Sequence, residues 1–264
     1  MFIFDMINGP AGFDPMIVLL LAMAVDTYIG SFGFVFKFIP HPVRLIERMI
    51  NFFDRRLNRD KRSQRDRAFR GFISVIACSI ICLIIGGAVA WLSRNHEWGW
   101  ILEFFLIITL IAQRGPFDQV RKVGRVLRDE HLESARTSIA EIAKRDPAQL
   151  DGHGIARTAI EALSRNYVTG VIAPIFWYIL FGLPGLLIYK TINIMDTLIG
   201  HKDPKYQAYG FSAARIDDIL NIIPARLAGL FLSLAACFTP TANPARAFRI
   251  MLRDAGKHRS LNTG

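Results

Sequence analysis

Between positions 161 and 226 lie residues whose types could do chemistry: Glu161, Asn166, Asn193, Asp196, His201, Lys202, Asp217, Asp218, Asn221 and Arg226, interleaved with small residues and apolar runs. Asp217-Asp218 followed by Asn221 puts acid and amide one helical turn apart, the oxygen-donor chemistry that handles a divalent cation or a phosphate. Asn193 and Asp196, at i and i+3, share a helix face in the same way. On spacing alone, polar pairs of this kind are more often caps or solvated positions than sites. The sequence has no GxxxxGK[ST] stretch, so any nucleotide would be bound without a Walker-type loop. Cys78, Cys82 and Cys237 form no CxxC pair and predict no disulfide framework.

The elements that must position these groups are apolar. The 264 residues are 52% hydrophobic and include 20 phenylalanines, with a mean hydropathy of +0.30 and a net charge of +10. Apolar residues gathered into long blocks exclude intrinsic disorder, collagen and coiled coil, and predict an all-α, polytopic membrane protein with four to five membrane-embedded helices. Gly71 to Ser93 carries no charge in 23 positions. At ~1.5 Å per residue it crosses the ~30 Å hydrocarbon layer, with Arg70, Arg94, Trp91 and Trp98 at its ends. Met16 to Ile39 is a second candidate, in which Asp26 must face protein or water. Trp98 to Gln113 is a third, Tyr167 to Tyr189 a fourth, and Leu227 to Phe238 reads as a short, partly buried helix. Met1 to Asp14 lacks the basic start of a secretory signal.

Charge sets the expected topology. Arg44 to Arg70 holds ten Lys/Arg against four Asp/Glu and is predicted to be cytoplasmic. Residues 114 to 166 follow as a cytoplasmic helical insert. There Phe117, Val120, Val123 and Leu127, then Leu132, Ala135, Ile139 and Ile142, recur at helical spacing. Asp146-Pro147 predicts a break, and Asp151-Gly152-His153-Gly154 a turn before a helix over Ile155 to Ser164. Arg121, Lys122, Arg125 and Arg128 read first as a solvated face beside anionic lipid, and second as a phosphate-contacting surface. Gly182-Leu-Pro-Gly185 interrupts the fourth apolar run and leaves halves too short to span, which predicts a hairpin that dips into the bilayer and returns. Nucleic-acid binding is not expected, because the basic segments are juxtamembrane.

Read in order, the polar stretch carries Glu161-Ala-Leu-Ser-Arg-Asn166, Ala173-Pro-Ile-Phe-Trp177, Tyr189-Lys-Thr-Ile-Asn193-Ile-Met-Asp196, Gly200-His-Lys202, Tyr209-Gly-Phe, Ala213-Ala-Arg-Ile-Asp217-Asp218 and Asn221-Ile-Ile-Pro-Ala-Arg226. With Pro40-His-Pro-Val-Arg-Leu-Ile46, Ala135-Arg136, Arg145-Asp146-Pro147, Arg253-Asp254, His258 and Ser260-Leu-Asn262, this resembles the adenosylcobinamide-phosphate synthase family (CobD/CbiB) over almost the whole chain. The resemblance implies one membrane domain over 1–264 and an ATP-dependent ligase of the bacterial inner membrane. Its reaction would join (R)-1-aminopropan-2-ol, or its O-phosphate, to a propionate carboxylate of the corrinoid adenosylcobyric acid, beside other late cobalamin-pathway membrane proteins. A carboxylate is a poor electrophile until phosphorylated, and an ammonium must lose a proton before it attacks. The resemblance therefore implies Mg²⁺–ATP at Asp217 and Asp218, phosphate contacts from Lys202 and Arg226 with Asn221 beside them, and substrate positioning by Asn166, Asn193 and Asp196. Glu161 would be the base, with His41, His258 and Asn262 as further candidates.

Several positions depart from the family pattern. Arg165 stands where the family usually has Glu, Thr169 where it usually has Asp, Glu47 for Gly, Gly115-Pro116 for Ser-Leu and Leu261 for Pro. The chain also ends before a further apolar segment of the family. These departures support an alternative expectation, a catalytically impaired paralogue or an AmpE-like membrane signalling or binding protein of the same fold. A transporter is not expected, as no inverted repeat is visible.

Overall fold

A computed structural model describes residues 13–29, 40–59, 62–129, 132–140, 142, 149–240 and 242–254. His258 and Asn262 lie outside the described residues, as do the second half of the 16–39 segment and the Asp146-Pro147 break. The elements among the described residues are α-helices, with one π-helical and one 3-10 segment and no strand. They fall into two compact units, Met1–Ile111 with Ala173–Pro224, and Ala112–Ile172 with Ala225–Gly264.

The first unit is built from α1 (Pro15–Ile29), α2 (Pro42–Leu57), α3 (Gln64–Asn95), α4 (Gly99–Leu110), α8 (Ala173–Ile199) and α9 (Phe211–Leu220). The 32 residues of α3 run farther than the apolar stretch, because Ser63 caps its start by accepting from the Asp66 amide. The uncharged residues Gly71 to Ser93 form one continuous helix within it, as the composition required. α3 and α8 pack along each other most extensively, and α2, α4 and α9 close around them. Ile107, Leu110, Tyr178, Leu183, Leu186 and Met195 are buried at the centre.

The expected break in α8 stands at Gly182, whose φ of 65° suits glycine alone. In a straight helix residues eight apart would lie about 12 Å from each other. A Cβ built on Gly185 would instead stand 2.5 Å from the Trp177 carbonyl oxygen. The two halves of α8 therefore fold back sharply at Gly182. The second half then runs antiparallel to α3: Pro184 and Leu187 lie against Gly86, and Thr191 Oγ1 is 3.0 Å from Cys82 Sγ. Gly86 is required at this crossing, because its Cβ would sit 2.8 Å from the Pro184 Cα.

The second unit contains α5 (Arg114–Arg128), α6 (Leu132–Ala140), α7 (Gly152–Tyr167), most of α10 (Ile222–Ala235) and α11 (Pro244–Asp254). Val123, Ala135, Ile139, Ile155 and Ala159 make a small core among α5, α6 and α7, and the first three are among the positions that recur at helical spacing. Phe117, read on the same stripe, is exposed. The Asp151 turn is the cap of α7, its Oδ1 accepting from the Gly154 amide at 2.7 Å, so that helix starts earlier than the spacing predicts. Its end passes into a π-helical turn, Val168–Ile172.

Among the described residues, three helical stretches are long and apolar enough to cross a membrane, Gln64–Asn95, Gly99–Arg128 and Gly152–Ile199; the pair Phe211–Leu220 and Ile222–Phe238 would make a fourth. The protein is an all-α, multi-pass membrane protein by composition and helix length. Gly182→Ala, which places a Cβ on a positive-φ backbone, and Gly86→Ala, which pushes a methyl into the Pro184 backbone, should each cost about 1–3 kcal/mol. The readout is a lower thermal-unfolding midpoint in detergent. Gly87→Ala, where nothing lies within 4 Å of the added Cβ, should leave it unchanged or slightly raised.

Candidate active site

The second half of α8 and the last turn of α9 bring most of the predicted polar residues of the first unit together. Asp217 is buried, and its carboxylate accepts from two amides: Asn193 Nδ2 at 3.2 Å on Oδ1 and Asn221 Nδ2 at 3.0 Å on Oδ2. Asn221 also donates to the Asp217 carbonyl at 2.9 Å, and its own Oδ1 accepts from the Tyr189 hydroxyl at 2.9 Å. Tyr189, Asn193, Asp217 and Asn221 thus form one hydrogen-bonded chain across two helices. Asp196 is half-buried and within electrostatic reach of Asp217.

This cluster is recessed in the apolar body of the unit. Thr191, between Tyr189 and Asn193, touches Cys82, midway along the uncharged stretch of α3. An ionisable group at such depth must be paired or face a polar cavity, which the amide donors around Asp217 accomplish.

The Asp217-Asp218 doublet splits. Successive helix residues diverge by about 100°, so Asp217 turns inward while Asp218 is two-fifths exposed, 3.9 Å from Arg215. Among the described residues, no group of three His, Cys, Asp or Glu could hold a metal. The donors present are the hard oxygens of Asp196, Asp217 and Asp218. They suit a magnesium ion that arrives with a phosphate and needs only one or two carboxylates, rather than an all-protein cage.

Two residues of this region escaped the sequence reading. Lys190 is half-buried on α8, within electrostatic reach of both Asp217 and His41. Tyr189 completes the hydrogen-bonded chain. A lone lysine ending an apolar run three positions before Asn193 was the signal available for the first. A tyrosine in such a run carried none.

The other candidates of the first unit take no part in this hydrogen-bonded chain. Lys202 and His201 are exposed on the loop between α8 and α9. That loop is held by a buried set no motif announced: Arg67 donates to Asn58 Oδ1 at 2.9 Å and to the Lys205 carbonyl, while Asn58 Nδ2 donates to Asp54 at 2.9 Å. His41 caps α2, its Nδ1 accepting from the Val43 amide at 3.2 Å. In the second unit, Glu161 and Arg165 approach to 3.9 Å on α7, both side chains about two-fifths exposed. Thr169 donates to the Arg165 carbonyl at 3.1 Å, within the turn that opens the π-helical segment. Asn166 is half-buried on the same helix, and Arg226 is exposed on α10.

Tyr189→Phe removes the hydroxyl that donates to the buried Asn221 amide oxygen and should lower stability by about 1–3 kcal/mol, measured by thermal unfolding in detergent. His41 supplies a pH test. Burial first, and Arg44 next, hold its pKa below the ordinary 6.5. The neutral ring is the form that caps α2, so this contribution is present above about pH 6.5 and lost as pH falls through the lower folded value. The unfolding midpoint should therefore fall on acidification from pH 7 to 5. His41→Asn, which retains a capping oxygen, should flatten that dependence.

Comparison with known proteins places this sequence in a family. The family model described as "CobD/Cbib protein" matches residues 19–264. A protein of Sinorhizobium sp named "Cobalamin biosynthesis protein CobD" is 39% identical over 94% of this chain and 78% of its own length. Namesakes from Brucella anthropi and Rhodobacter capsulatus are 37% and 38% identical over 94% of this chain, and over 77% and 76% of their own lengths. No solved structure matches. An all-α membrane body and a match across nearly the whole sequence agree: the chain belongs to the CobD/CbiB family.

Proposed function

We propose that this protein acts in cobalamin biosynthesis as an ATP-dependent ligase of the bacterial inner membrane. It joins (R)-1-aminopropan-2-ol, or its O-phosphate, to a propionate carboxylate of adenosylcobyric acid. The observation that carries this reading is the match to curated cobalamin biosynthesis relatives across 94% of the chain. The buried acid–amide chain of Asn193, Asp217 and Asn221 supports it. The segments 44–70 and 114–166 are assigned to the cytoplasm, where ATP and corrinoid are found.

The chemistry proceeds in two displacements. A propionate oxygen attacks the terminal phosphorus of ATP, releasing ADP and leaving an acyl phosphate. The amine nitrogen then attacks the acyl carbon, the C–O bond to phosphate breaks, and the nitrogen gives up a proton. Asp217 and Asp218 would each offer a carboxylate oxygen to the magnesium that accompanies ATP, which would supply charge neutralisation of the phosphates, and Asp196 would help position substrate. Asn193 and Asn221 fix the orientation of Asp217. Their donors hold its carboxylate aimed, so that no reorganisation is needed when charge develops. Lys202 and Arg226 would offset phosphate charge, and Asn166 would orient a substrate amide or carboxylate. Glu161 is the proposed base for the amine.

The ion pair of Glu161 with Arg165 favours a second reading, in which catalysis is impaired and the fold serves a binding or signalling role. The Arg165 guanidinium, 3.9 Å from the Glu161 carboxylate, occupies a direction from which a substrate amine would have to approach the candidate base. The two readings separate in one assay, adenosylcobinamide (phosphate) formation by the purified protein in nanodiscs. Under the ligase reading the wild-type chain turns over, and Asp217→Asn and Asp218→Asn each lower kcat by about 10²-fold or more. Wild-type turnover in both variants would overturn the site assignment. No turnover in wild type, with activity gained by Arg165→Glu/Thr169→Asp, would establish the impaired enzyme.

A further inference from the structure

The outer face of α2 combines exposed cations with exposed apolar side chains. Its inner face buries Pro42, Ile46, Ile50 and Asp54 against the helical body. At 100° per residue, Arg44, Arg48 and Arg55 fall within about 40° of one another on the opposite side, and all three are exposed. Leu45 and Phe52 lie beside them on one flank, 49% and 53% exposed, with Arg56 at their edge. The Arg56 guanidinium sits 5.0 Å from the Phe52 ring centroid. No acid shares this arc: Asp54 points inward and Glu47 is half-buried on the other flank.

Two large apolar side chains left exposed beside arginines do not suit a surface meant for water alone. They suit the boundary of a bilayer, where apolar side chains enter the acyl region and guanidinium groups meet phosphate oxygens. The position of α2 fits this setting, since it leads through a short link into α3, the clearest spanning helix, and packs against α3, α4 and α8. Arginine also presents paired donors that match a phosphodiester bidentately. We infer that the Arg44–Arg48–Arg55 face of α2, with Leu45 and Phe52, is a docking surface for anionic phospholipid headgroups. This surface is separate from the acid–amide cluster, and it stands or falls independently of the reaction proposed above.

The test is native mass spectrometry of the full-length protein released from nanodiscs of phosphatidylcholine with phosphatidylglycerol, scoring which lipids stay bound. Wild type should retain phosphatidylglycerol over phosphatidylcholine by about fivefold or more, with the preference weakened at 0.5 M salt. Arg44→Gln/Arg48→Gln/Arg55→Gln should abolish the preference. Leu45→Ser/Phe52→Ser should reduce total lipid retained while the anionic preference persists. The matched control Arg121→Gln/Lys122→Gln/Arg125→Gln on α5 should retain the α2-dependent preference. Should the triple α2 variant not fold, Arg48→Glu alone gives the same comparison. Unchanged phosphatidylglycerol retention in the α2 variant would overturn the inference. So would a preference that follows the α5 variant, or wild-type arginines that retain an added oligonucleotide or a second copy of the chain instead of lipid.

Discussion

Charge buried among apolar helices is the constraint on which the first unit turns. A carboxylate taken out of water is costly unless hydrogen-bond donors meet it, and the cost rises where the surroundings are hydrocarbon. Asp217 meets it with Asn193 and Asn221, and Asn221 is fixed in turn by Tyr189. Each partner comes from α8 or α9, so the packing of those helices and the orientation of the acid are one requirement. Glu103 repeats the pattern elsewhere in the unit: it is buried and accepts from the Tyr178 hydroxyl at 2.8 Å.

The reversal at Gly182 makes that arrangement available. A straight α8 would place Trp177 and Tyr189 about 18 Å apart, yet both line one small apolar cleft with Phe181, Ile188 and Leu220. Folding back lets the second half descend along α3, with Thr191 at the level of Cys82 and Asn193 just beyond. The close crossing at Gly86 follows from the same geometry. Glycine at 86, 182 and 185 therefore serves the position of Asp217, although none of the three is polar or reactive.

Much of this was legible in the residues. An uncharged stretch of 23 positions has one solution in lipid, because only a helix satisfies its backbone internally. Gly-Leu-Pro-Gly announced a break, since proline and glycine both disfavour a continuing helix. Asn193, Asp217 and Asn221 were singled out by type and order, and they do meet. The doublet was less legible: adjacent letters suggest a shared role, while a helix turns them apart, so Asp217 is buried and Asp218 faces Arg215. Lys190 and Tyr189 lay within a quoted motif but had no assigned part. Nothing in Asp54, Asn58 and Arg67 marked them as a buried set, because each reads as one more polar residue in a basic segment.

By itself, the sequence determined the membrane character, the helical class, the break in α8 and the family, since each depends on composition, local spacing or the order of motifs. Only the tertiary structure decided which polar groups share a hydrogen bond and which face the solvent. Those outcomes depend on the direction of a side chain from its helix and on which helix packs against it. Contacts such as Tyr189 with Asn221, or Arg67 with the Lys205 carbonyl, join positions 32 and 138 residues apart. Local spacing carries no information about pairs so distant, and packing alone brings them within bonding distance.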